Sequence, residues 1–217
     1  MKDRYKTPIM PLGYMDFSLY AHIIDQLGTD VEIDLHKDGE PLMHPEIGRF
    51  IEYAKSKGLF VHLVTNGKLL AKKKEEIVNS GLDLLTVSIV DDIPYDEVTE
   101  FYNYKWTGTP ETQLKVYENI INPLPMTDGI LKRPIHNWTD DQKRITQQPC
   151  SKLLNYGAVN WDGGWDICCV DYRRDLVPFN VKDVPIEKCL EFNKMVYKWQ
   201  QEGLFIPPCN QCNYWRD

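Results

Sequence analysis

The residues best equipped for chemistry are six cysteines, and all of them lie between Cys150 and Cys212. Cys209 and Cys212 form a Cys-x-x-Cys pair on the proline-bounded stretch 207-PPCNQCNYW-215. That spacing lets two thiolates grip one metal ion or one corner of an iron–sulfur cluster, with two further thiolates completing the set. Cys150 follows a proline, and Cys168 and Cys169 stand side by side in 160-NWDGGWDICCVD-171. Successive side chains on a strand point to opposite faces, so one of the adjacent pair is expected to face a centre shared with Cys150 and the other to pack. Cys189, beside Leu190 in a helical stretch with no partner at ligand spacing, reads as a small core residue. A thioredoxin-type redox pair is disfavoured, because that motif opens a helix after a strand and this one lies at the end of the sequence.

The totals narrow the partners. The 217 residues carry a formal net charge of -7 and a pI near 5.3, which argues against duplex nucleic acid or an anionic membrane as a bulk electrostatic partner. Lys72, Lys73 and Lys74 read as a solvated helix face. No apolar run approaches the ~20 residues that span a bilayer. Met1 to Met10 lacks the apolar core of a secretory signal. The expectation is a cytoplasmic protein whose cysteines serve metal ligation or burial rather than disulfides.

The elements that must position these groups divide at about Gln147. The first half alternates strand and helix: Val31 to Leu35, a helix from Pro45 to Gly58, Leu59 to Val64, a helix from about Leu69 to Asn79, and Leu84 to Ile89. Strands separated by such helices pair in parallel and gather ligand-binding loops at their C-terminal ends. Asp38-Gly39-Glu40-Pro41, Thr65-Asn66-Gly67 and Ser88 lie at those ends. Pro110 to Ile121 reads as a further helix through Leu114, Val116, Tyr117, Ile120 and Ile121. In the last seventy or so residues, Ala158 to Trp161 and Trp165 to Val170 flank an Asp162-Gly163 turn as a β-hairpin, and an amphipathic helix runs from Pro185 to about Glu202. Trp161, Trp165, Trp199 and Trp215 read as hydrophobic packing around a small cysteine-rich domain.

In that order, 38-DGEPLMHPEI-47, 65-TNG-67 and 86-TVSI-89 resemble the radical S-adenosylmethionine (radical SAM) enzymes. The tail, 149-PCSKL-153 with 161-WDGGWDICCVD-171 and 209-CNQC-212, resembles their SPASM extension, which holds an auxiliary iron–sulfur cluster. Further echoes are 13-GYMDFSLY-20 and 136-HNW-138. The resemblance implies an α/β fold: an incomplete (β/α) barrel over residues 1–147 and a SPASM-like hairpin-plus-helix domain over 148–217. It implies that Gly39, Glu40 and Pro41 bind the methionine amino group of SAM. Asn66 and Ser88 would lie near the SAM carboxylate and ribose. Cys150, Cys168, Cys209 and Cys212 would hold an auxiliary 4Fe-4S cluster, with Cys168 preferred over Cys169. His44 has family precedent but reads as structural.

Two departures set the expected function. The family holds its SAM-cleaving cluster on a Cys-x-x-x-Cys-x-x-Cys loop shortly before the position of Gly13, yet no cysteine precedes Cys150. Between Ile121 and His136, where the family has room for another strand and helix, there is only a short Pro/Gly-rich connector. The expectation is a truncated or divergent family member that does not cleave SAM alone, unless upstream sequence or a second subunit supplies the loop. A non-catalytic iron–sulfur module for electron transfer or docking, and a structural zinc protein using the same four thiolates, are the alternatives. The expected partners are a peptide or small-molecule substrate and an electron donor. The sequence names no catalytic residue.

Overall fold

Short apolar, β-branched runs become strands here: Phe60–Thr65 alternates buried with more open positions, while residues 84–87 are buried on both faces. The computed structural model describes residues 13–37, 39–89, 98–101, 113–120, 130–134, 148–168, 171, 174 and 176–211. The chain divides into two compact units, Leu27–Asn137 and the combination of Met1–Gln26 with Trp138–Asp217.

The first unit is a five-stranded parallel sheet in sequential order: β1 (Glu32–Asp34), β2 (Phe60–Thr65), β3 (Leu84–Ile89), β4 (Gln113–Ile120) and β5 (Ile130–Pro134). Helices α2 (Ile47–Ser56) and α3 (Leu70–Asn79) connect the first three strands, and α2 contacts both β2 and α3. Ile47, Phe50, Ile51 and Ala54 of α2 are buried, as are Leu70 and Ile77 of α3 and Val61, Leu63, Leu85 and Val87 of the strands. Asp83 fixes the helix–sheet register. Its carboxylate takes Lys55 Nζ at 2.7 Å and the Val61 backbone N–H at 2.7 Å.

Two expectations are corrected here. Residues Gln113–Ile120 form strand β4 and not a helix. Leu114, Val116 and Ile120 also recur with a period of two, and a continuous parallel ladder to β3, from Leu84↔Gln113 to Ile89↔Glu118, pairs the backbone. The stretch after Ile121 is not a bare connector either, because β5 extends the sheet there, with Pro134 at the end of an edge strand.

In the second unit, α1 (Phe17–Ile24) starts at Asp16, whose carboxylate accepts from the Ser18 backbone N–H at 2.8 Å. It is fastened by His22 Nε2 to Val181 O at 3.2 Å, and the Ile186 N–H donates to Gln26 Oε1 at 3.0 Å. Short α4 (Lys152–Asn155) leads to the antiparallel strands β6 (Ala158–Val159), β7 (Gly164–Asp166) and β8 (Phe179–Asn180), and then to α5 (Ile186–Gln201). The hairpin is present, but β7 stops at Asp166. Cys168 lies beyond the strand, so strand alternation does not set its direction or that of Cys169, which is outside the described residues. No helix among the described residues is long and apolar enough to cross a membrane.

Candidate functional site

The loop after β1 and the loop after β2 are tied together by one carboxylate. Glu40 Oε1 accepts from the Leu42 N–H at 3.0 Å and from the Thr65 hydroxyl at 2.6 Å, and Oε2 accepts from the Asn66 N–H at 2.8 Å. The same side chain caps a short 3₁₀ turn, Pro41–Met43, with Pro41 at its first position. Gly39 sits at φ +109°, a conformation that suits glycine, and an added Cβ there would meet nothing within 4 Å. Gly39 therefore faces open space, and its loop follows a strand at the C-terminal edge of a parallel sheet, the place where such sheets receive ligands.

The other sequence-derived candidates fall around this clamp. Asn66 Oδ1 accepts from the Lys68 N–H at 3.0 Å, an Asx-type turn that shapes its own loop. Ser88 is half-buried near the end of β3. His44 accepts from the Glu46 N–H at 3.1 Å through Nδ1 and lies 4.4 Å from the Phe50 ring, a structural placement.

The sequence reading missed a second cluster in the same unit. Asp34 and His62 are direct partners in the β1–β2 register and share a sheet face. His62 lies between Val61 and Leu63, which are fully buried, so its ring projects from the face opposite the core. His62 Nδ1 is 2.7 Å from Asp34 Oδ1, and Nε2 is 2.8 Å from Thr86 Oγ1. The His36 ring meets His62 edge to face at 5.5 Å. Burial pushes the His36 imidazole below its ordinary value, opposed by Asp34 and aided by His62. Burial alone would raise Asp34, but the hydrogen bond to His62 and the two nearby imidazoles hold its carboxyl below the usual range. The available signal was a histidine inside the apolar strand run 60-FVHLVT-65, with Asp34 and His36 two residues apart.

In the C-terminal unit, Cys150 and Cys168 are half-buried and Cys209 is buried, while Cys212 lies outside the described residues. The Cys150 N–H donates to Gln200 Oε1 at 2.8 Å. Two residues before Cys168, the carboxylate of Asp166 is fully buried. It is held by Asn160 Nδ2 and by Arg174 Nε at 3.3 Å, and Arg174 also reaches Asp162 at 3.0 Å. Arg174 packs so closely over the turn that a Cβ on Gly164 would fall 1.8 Å from its Nη2. Cys189 is fully buried in α5, and burial raises its thiol.

No protein-family model matches the chain. A curated relative, the tungsten-containing aldehyde ferredoxin oxidoreductase cofactor-modifying protein of Pyrococcus furiosus, is 22% identical over 204 residues, which is 89% of this chain and 54% of the relative. The chain thus spans about half the length of that relative. Among solved structures, selenomethionine BtrN in an open conformation superposes with a TM-score of 0.65 at 18% identity, covering 93% of this chain and 81% of BtrN. BtrN in complex with AdoMet and 2-DOIA gives a TM-score of 0.62 at 16% identity, covering 94% and 87%. The chain therefore shares the fold of BtrN. Within this fold, Glu40 brings Gly39, Pro41 and Asn66 into one clamp, and Ser88 stands on the adjoining strand β3.

Proposed function

We propose that the chain is a radical SAM protein of the SPASM type. It binds SAM at the C-terminal edge of its parallel sheet, through Gly39, Glu40, Pro41, Asn66 and Ser88. It binds an auxiliary 4Fe-4S cluster through Cys150, Cys168, Cys209 and Cys212. The observation that carries the reading is the Glu40 clamp, which presents two loops side by side with open space over Gly39. Such an arrangement offers backbone acceptors to a methionine amino group. The BtrN complex with AdoMet and 2-DOIA supports a SAM site on this fold beside a second ligand.

For the cluster, the donor set fits: three of the four thiols fall among the described residues of one unit, half-buried or buried. Asp166, locked by Asn160 and Arg174, fixes the strand end that delivers Cys168. A SAM-chelating cluster, when bound, supplies the electron that cleaves SAM. Its Cys-x-x-x-Cys-x-x-Cys loop must come from sequence upstream of this stretch or from a second polypeptide, because no cysteine precedes Cys150. A second reading is a non-catalytic iron–sulfur or zinc module derived from the family, because four thiolates suit either centre. The upstream reading frame separates the two.

Anaerobic reconstitution with iron and sulfide tests the proposal. The expected product is brown and holds about four irons and four sulfides per chain, and both are lost in Cys209→Ala. A colourless protein holding one zinc contradicts the iron–sulfur assignment.

A further inference from the structure

We propose that Asp34, His36 and His62 form a binding site for a divalent transition metal of the zinc class, separate from the cysteine site and from the Glu40 clamp. One ring nitrogen from each histidine and one carboxylate oxygen of Asp34 lie within 4.8 Å of one another. Two imidazoles and one carboxylate form a donor set that holds zinc or iron(II) with coordination positions left open for water or a substrate atom. The backbone sets the cluster in place. Asp34 and His62 are register partners on neighbouring strands, and the Leu35 N–H to His62 O bond of 2.9 Å continues that ladder to the residue before His36.

The competing account is a hydrogen-bonded triad of Asp34, His62 and Thr86 that needs no metal. His36 separates the two. Its Nδ1 is buried with no hydrogen-bond partner among the described residues. An orphaned buried polar atom is destabilising, and the triad does nothing to relieve it. A metal ion takes that lone pair as a ligand. Thr86 then gains a specific role: when Nδ1 of His62 binds the metal, the Nε2–H donates to Thr86 Oγ1 at 2.8 Å. Ligating histidines are oriented by such a bond on their other ring nitrogen.

The proposal does not depend on SAM binding, and its probe is Co²⁺ alone. The full chain is stripped with EDTA and titrated anaerobically while visible d–d bands and near-ultraviolet thiolate-to-cobalt charge transfer are recorded. The expected result is one Co²⁺ per chain with d–d bands and no thiolate charge transfer, beside any Co²⁺ that the cysteines hold with charge transfer, and this thiolate-free Co²⁺ is retained in Cys209→Ala. His36→Ala and His62→Ala should abolish it, and Thr86→Val should weaken it about 10-fold or more. His36 follows β1 and makes no recorded hydrogen bond through Nδ1, so His36→Ala stays informative if His62→Ala fails to fold. Absence of any non-thiolate Co²⁺, or its survival unchanged in His36→Ala, overturns the proposal.

Discussion

Arg174 adopts φ 55°, a left-handed conformation that costs a non-glycine residue about 1–2 kcal/mol. It is held there by two carboxylates, the fully buried Asp166 and the partly exposed Asp162. Removing the guanidinium strands the Asp166 charge in the interior, so Arg174→Met should destabilise the protein by about 3 kcal/mol in denaturant titration. The loss should depend on pH. Burial pushes Asp162 up, but the Arg174 hydrogen bond and the Gly164 N–H hold it below its ordinary value of 3.8. A depressed carboxylate contributes its full stability above the unfolded value and loses it as pH falls through the folded one. The gap between wild type and Arg174→Met should therefore be full above pH ~4 and narrow in stronger acid. A gap independent of pH would place the stabilisation elsewhere. Glu40 works by the same logic at the other site. Glutamine at this position offers one acceptor oxygen where three donors converge, so Glu40→Gln leaves a Leu42, Thr65 or Asn66 donor unmatched.

At the scale of elements, Asp83 links α2 to the first strands of the sheet. Asp83→Ala orphans the Val61 N–H and releases Lys55, for an expected loss of about 2 kcal/mol in thermal or chemical unfolding. A loss below about 0.5 kcal/mol, the usual range of surface substitutions, would show that the register is set by apolar packing alone. The strands and helices from β1 to β3 were legible because their apolar residues follow one period each, and α5 was legible through Ile186 and Val196. Strand β4 was not, since Leu114, Val116, Tyr117 and Ile120 fit a helical stripe as well as an alternating one. Only pairing with β3, contributed by residues far away in sequence, decides between them. The Glu40 loop was legible as a motif, but its bonds to Thr65 and Asn66 join residues 25 and 26 positions apart and needed the fold. Asp34, His36 and His62 went unread for the same reason: no local spacing connects the last of them to the first two. The early end of β7 at Asp166 removes strand alternation as the reason for expecting one ligand and one packed neighbour, while the preference for Cys168 still rests on the family resemblance. Cys168→Ala is expected to lose the cluster iron and Cys169→Ala to keep it, read by iron content, and the reverse result would assign the ligand to Cys169.

At the scale of the molecule, the chain joins a parallel sheet unit carrying the Glu40 clamp to a unit carrying the cysteines, and the proposal gives each its own chemistry. The SAM site proposed at the Glu40 clamp is the claim on which the account turns. The measurement that bears on it most directly is equilibrium dialysis of SAM against wild type and Glu40→Gln, with matched circular dichroism spectra as the check on folding. The account predicts saturable binding of one SAM per chain in the wild type, weakened at least about 10-fold when Glu40 loses one acceptor, the equivalent of about 1.4 kcal/mol. Absence of saturable binding in the wild type, or equal affinity in the two proteins, would contradict it.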